Sequence, residues 1–96
     1  MLTEPLAPAD ARALLRRILE EGSVRFSSHA LEEMAKDGIG EEDVRHVLAA
    51  GAVAPGEWEN GSWRYRVTVR DVTAVATFRS ELLAVVVTAW RKKRRR

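Results

Sequence analysis

Trp63-Arg64-Tyr65-Arg66-Val67-Thr68-Val69-Arg70-Asp71-Val72-Thr73-Ala74-Val75-Ala76-Thr77-Phe78 decides the fold. Aromatic and β-branched residues dominate it, and up to Val69 apolar residues alternate with arginine or threonine, the period-two pattern of a strand. Arg70-Asp71 breaks the run, which predicts two antiparallel strands over 63–69 and 72–78. A third, more apolar run from Leu83 to Trp90 follows the turn Arg79-Ser80-Glu81. Upstream, Asn60-Gly61 is a strong hairpin signal, so a strand over about 53–58 is expected before it. Together these predict a four-strand antiparallel meander.

The first half reads differently. Ala11, Leu14, Leu15, Ile18 and Leu19 recur at i, i+3, i+4, i+7 and i+8, the stripe of an amphipathic helix. Proline suits a first helical turn, so Pro8 or Ala9 opens this helix, Gly22 closes it, and residues 1–7 form a loose arm. A short strand, Val24-Arg25-Phe26, leads to the N-cap candidates Ser27-Ser28 and a helix from about His29 to Asp37, stopped at Gly38. A third helix is expected over Gly40 to Ala50, with Glu41, Glu42 and Asp43 complementing its dipole. The expected architecture is α+β, with helices packed on one face of a small, mainly antiparallel sheet.

At 96 residues, with 46% apolar content, the chain reads as one domain over 1–90 with a basic tail over 91–96. Zero cysteines exclude a disulfide framework, a thiolate nucleophile and a cysteine zinc site. The apolar run Leu82 to Trp90 is too short to span a bilayer as a helix. Met1-Leu2-Thr3-Glu4-Pro5 lacks the basic-then-apolar order of a signal peptide, so a cytoplasmic protein without a membrane partner is expected.

The formal net charge of +2 conceals a division. Residues 1–59 carry 6 basic and 12 acidic side chains, and residues 60–96 carry 10 basic and 2 acidic. Such asymmetry marks a nucleic-acid surface or a surface for an acidic partner. Strand parity sharpens it. Trp63, Tyr65, Val67 and Val69 share one face and meet the helices; Arg64, Arg66, Thr68 and Arg70 take the other. By the same alternation Thr77 and Arg79 join the arginine face, as do Thr88 and Trp90 from a last strand in which Ala84, Val86, Thr88 and Trp90 share a side. Arginines suit phosphate and an aromatic can stack a base. The plain alternative is a solvated antiparallel face, where Arg and Thr are common.

His29 stands just after a strand, at a helix start. A helix N-terminus favours neutral imidazole, which can act as a general base on a ribose 2′-hydroxyl. The alternative is that His29 packs at the junction. His46 is placed on a helix surface without a role. No Gly-rich phosphate loop occurs, and His29 with Glu32 or Glu33 makes a poor metal set, so no metal and no other cofactor is expected.

The segment Phe26-Ser27-Ser28-His29-Ala30-Leu31-Glu32-Glu33-Met34-Ala35-Lys36-Asp37-Gly38-Ile39, with Glu42-Asp43-Val44 and the closing Val85-Val86-Val87-Thr88-Ala89-Trp90, resembles the domain-of-unknown-function family 4258. Two positions depart: Asp37 stands where the family often has arginine, and Gly40 where it usually has a capping Ser or Thr. The resemblance implies a fold similar to RelE-like, MqsR-like and barnase-like ribonuclease toxins. It also implies metal-independent RNA cleavage and a cognate antitoxin, often with a zinc-finger portion. His29 and Thr88 fall in the family's motifs.

The expected function is therefore a toxin-like endoribonuclease of the mRNA interferase type. His29 serves as base or acid, Arg64, Arg66 and Arg79 hold the phosphate beside Thr88, and Trp90 stacks a base. Arg91, Lys92 and Lys93, with the rest of the tail, extend the RNA surface beyond Trp90. The rival is a non-catalytic RNA- or protein-binding module on the same fold, and a more distant one is an interaction domain for an acidic partner.

Overall fold

The computed structural model describes residues 2–93; the end of the expected basic tail, residues 94–96, lies outside them. Three helices, α1 (Pro8–Glu21), α2 (Ser28–Lys36) and α3 (Glu41–Ala50), accompany six strands, β1 (Ser23–Phe26), β2 (Ala52–Val53), β3 (Glu57–Glu59), β4 (Ser62–Val69), β5 (Val72–Ser80) and β6 (Leu83–Arg91). The strand order is β1-β6-β5-β4-β2, with β3 also pairing with β4. Every pairing is antiparallel except β1 with β6. This is the expected α+β architecture, with one parallel edge strand that the alternation did not indicate. Among the described residues, no helix is long and apolar enough to cross a membrane.

The helical stripe of α1 buries Ala11, Leu15 and Ile18, and α3 buries Val44, Val47 and Leu48. These meet Tyr65 and Val67 of β4, Ala74 and Ala76 of β5, and Ala84, Val86 and Ala89 of β6 in one core. On α2 the buried residues are Ala30 and Met34, while Leu31 is exposed. Gly22 follows α1 because a Cβ there would strike the Leu82 carbonyl.

The expected strand over 53–58 is two strands. Pairs Ala52–Thr68 and Val53–Val67 give way to Glu57–Arg64 and Trp58–Trp63, a slip of one residue across Ala54-Pro55-Gly56. Proline cannot donate to the ladder, and a Cβ on Gly56 would come within 2.8 Å of the Tyr65 ring. Asn60 (φ 48°) and Gly61 (φ 80°) then make the tight hairpin turn, as a primed turn requires.

Tyr65 also corrects the reading of residues 1–7 as a loose arm. Its ring is fully buried, and a buried phenol needs partners. The hydroxyl accepts a hydrogen bond from the Leu6 N–H at 2.9 Å and donates to the Glu4 carboxylate at 2.8 Å. Leu2 and Leu6 pack against the core.

Burial pushes the Tyr65 phenol up to about 12, with the Glu4 carboxylate also raising it and the Leu6 N–H opposing. The folded chain thus holds this proton more tightly than the unfolded chain. The associated stability is complete below about pH 10, the ordinary phenol value, and is lost as pH climbs through the folded value. Tyr65→Phe should cost about 1–2 kcal/mol near neutrality and remove that alkaline limb. Urea denaturation of both proteins across the alkaline range checks this.

Candidate functional site

The open face of the sheet is built from cross-strand rows. Arg66 pairs with Val75, which pairs with Thr88, so β4, β5 and β6 each contribute one side chain to a row. Thr68 pairs with Thr73 and Thr73 with Trp90, making the next. The Thr68 and Thr73 hydroxyls lie 3.1 Å apart. The Arg66 guanidinium sits 5.7 Å from the centre of the Trp90 ring, within cation–π range.

Thr88 and Trp90 reach this face as expected, but Ala84 and Val86 do not share it. Thr88 pairs with Val75 and Val86 with Ala76, leaving Val87 as an extra residue. Such a bulge reverses parity along the strand. Before it, Ala84 and Val86 are fully buried in the core; after it, Ala89 alone of the next three positions is.

His29 arrives from beyond β6. Ser27 donates its backbone N–H to the Val86 carbonyl at 3.0 Å and its hydroxyl to the Val87 carbonyl at 3.1 Å. The same Oγ accepts from the Ala30 N–H at 3.0 Å as the cap of α2. One serine therefore ends β1, starts α2 and fixes the helix beside the bulge. At the other end of α2, Asp37 accepts the Arg91 N–H at 2.8 Å. Asp37 thus ties α2 to the end of β6.

His29, Arg64, Arg66, Thr88 and Trp90 consequently line one cleft of about 240 Å³, together with Glu57, Glu59, Val75 and Val87. The two glutamates belong to the acidic stretch 1–59 by chain order, yet they stand among the arginines of the basic stretch. They belong to β3, which pairs with β4 at the edge of the sheet and brings both carboxylates to the arginine cleft. Glu57 lies 3.7 Å from the Arg66 guanidinium and Glu59 lies 3.9 Å from that of Arg64. The cleft is mixed in charge. Pairing counted back from the Asn60-Gly61 turn places Glu57 opposite Arg64 and Glu59 opposite Ser62, a signal the sequence carries in the hairpin itself and not in the alternation of the later strands.

Other sequence candidates fall elsewhere. Arg79 is exposed at a second register shift, between Phe78 and Ser80, and does not line the cleft. Arg91, Lys92 and Lys93 line a separate hollow with Asp37 and Asp71. They do not extend the cleft because Arg91 alternates away from Trp90, and its guanidinium is drawn to the Asp71 carboxylate at 3.4 Å. The Lys92 N–H donates to the Asp71 carbonyl at 2.7 Å.

The sequence pattern described as Domain of unknown function (DUF4258) matches residues 26–91. The chain belongs to this family. The DUF4258 span opens at Phe26, the last residue of β1, and takes in every residue that lines the cleft while leaving out α1. No curated protein and no solved structure matches the chain significantly.

Ser27 gives the local test of this geometry. Ser27→Ala removes the α2 cap and the bond to the bulge, and should cost about 0.5–2 kcal/mol. Urea denaturation should register the loss. Amide chemical shifts should move at Ala30, Val87 and Thr88 rather than in α1.

Proposed function

We propose that this cleft is the centre of a toxin-like, metal-independent endoribonuclease acting on single-stranded RNA such as mRNA. The observation that carries the reading is the convergence of His29, Arg64, Arg66, Thr88 and Trp90 on one cleft. RNA supplies its own nucleophile, the ribose 2′-hydroxyl, so cleavage needs proton transfer, a held phosphate and relief of developing charge.

The imidazole of His29 serves as a proton-transfer group. The Arg64 and Arg66 guanidiniums receive the phosphate oxygens, to which the Thr88 hydroxyl adds a donor. Exposed ion pairs are worth at most about 1 kcal/mol, so a phosphate with its own charge and acceptors can displace the glutamates from them. Trp90 offers a stacking surface, a contact worth about 1–3 kcal/mol per base in other proteins. The family resemblance implies a fold similar to RelE-like and MqsR-like toxins, which would add a cognate antitoxin as partner, and an mRNA target would place the pair in the cytoplasm. Function lives in the site rather than the fold, and the side chains brought together in the cleft support the activity.

One observation favours a second reading, an RNA-binding module without catalysis. Glu57 and Glu59 offset the positive charge of the arginines that face them.

Purified protein incubated with mixed RNA in EDTA separates the two. The nuclease reading expects fragments ending in 2′,3′-cyclic phosphate, a loss of about 10²–10⁴-fold in rate for His29→Ala, and weaker RNA binding for Arg66→Ala. Binding without cleavage by the wild-type protein supports the module. Growth arrest on induction, relieved by co-expression of the neighbouring gene, checks the antitoxin.

A further inference from the structure

Cleavage of RNA by its own 2′-hydroxyl needs a proton removed from the attacking oxygen and one delivered to the leaving oxygen. Among the polar side chains lining the cleft, few can do either. Arginine stays protonated in proteins, and the hydroxyl of Thr88 is a poor base. His29, Glu57 and Glu59 remain.

Position chooses between the glutamates. Glu57 approaches Arg66, the residue whose guanidinium lies within cation–π range of Trp90 and which shares a row with Thr88. Glu59 sits opposite Ser62, beside the Asn60-Gly61 turn. Glu57 thus faces the middle of the cleft and Glu59 its end. The arrangement of walls matters equally. β3 bounds one side, and α2, fixed to β6 by Ser27, bounds the other. β3 and β6 are separated by β4 and β5, roughly 14 Å between backbones. Attacking and leaving oxygens lie in line on opposite sides of the phosphorus, so a base and an acid on opposite walls, with arginine between them, match the reaction.

We infer that Glu57 is the general base and His29 the general acid of this centre, an assignment that rests on the nuclease reading above. The Glu57 carboxylate takes the 2′-hydroxyl proton as the O2′–P bond forms. The P–O5′ bond breaks, and O5′ takes a proton from the His29 imidazolium. The products are a 2′,3′-cyclic phosphate and a 5′-hydroxyl, leaving Glu57 protonated and His29 neutral. Arg66 has two duties in turn: it holds the Glu57 carboxylate at the cleft before RNA binds, and the phosphate afterwards.

The test compares full-length wild type, Glu57→Gln and His29→Ala on RNA and on nucleoside 3′-(4-nitrophenyl phosphates). The nitrophenolate leaves without a proton, so the aryl esters need a base and no acid. On RNA both variants should be slower by about 10²–10⁴-fold, while Glu57→Gln should bind RNA as well as wild type or more tightly. On the aryl esters His29→Ala should recover to near the wild-type rate, and Glu57→Gln should stay slow. Glu57 is exposed, so its variant should keep the wild-type denaturation midpoint. A wild-type rate for Glu57→Gln on RNA overturns the assignment, as does recovery of Glu57→Gln, or none of His29→Ala, on the aryl esters. Cleavage of neither substrate by the wild-type protein removes the nuclease reading itself, and this assignment with it.

Discussion

A single unpaired residue, Val87, governs the layout of this domain. The extra residue in β6 lets the first half of the strand send Ala84 and Val86 into the core while the second half turns Thr88 and Trp90 outward. The bulge also supplies the carbonyl that takes the Ser27 hydroxyl. That bond and the one from the Ser27 N–H to the Val86 carbonyl together fix the start of α2 beside the sheet. Core packing, cleft chemistry and the entry point of α2 therefore meet at one irregularity, as bulges near binding sites commonly do.

The parallel pairing of β1 with β6 follows from the same arrangement. β1 stops at Phe26, opposite Val86, and α2 occupies the space beside the rest of β6. Backbone groups left without a strand partner there are met by side chains, Ser27 for the Val87 carbonyl and Asp37 for the Arg91 N–H. A helix thereby does the work of an edge strand, and it brings His29 to the face where the arginines stand.

Most of the fold was legible because its signals are local. The α1 stripe, the Asn60-Gly61 turn and the alternation from Trp63 to Val69 all depend on neighbours within a few residues. What escaped depends on partners far along the chain. The hold of Tyr65 on Leu6 and Glu4 spans about sixty positions, and no periodicity encodes it. The bulge at Val87 interrupts an apolar run in which either parity looks acceptable. In the cleft, parity placed Arg64, Arg66, Thr88 and Trp90 together, and the helix start placed His29. Alternation from Trp90 turns Arg91 away from the cleft, against its expected place in the RNA surface. The glutamates of β3 were assigned by chain order to the acidic half, whereas charge in a folded protein is distributed by strand pairing.

That short strand has a consequence for life at high concentration. Sheets with an uncovered margin invite the margin of another molecule to pair with them, the route to open-ended aggregation. Here the β3 margin is three residues long, Glu57-Trp58-Glu59, broken from β2 by a proline and a glycine. Two of its three side chains are negatively charged, and the third folds against Trp63 with ring centres 5.5 Å apart. A second copy presenting the same margin would meet like charge on a ladder too brief to hold it. The carboxylates that line the cleft thus also disfavour strand pairing at this margin.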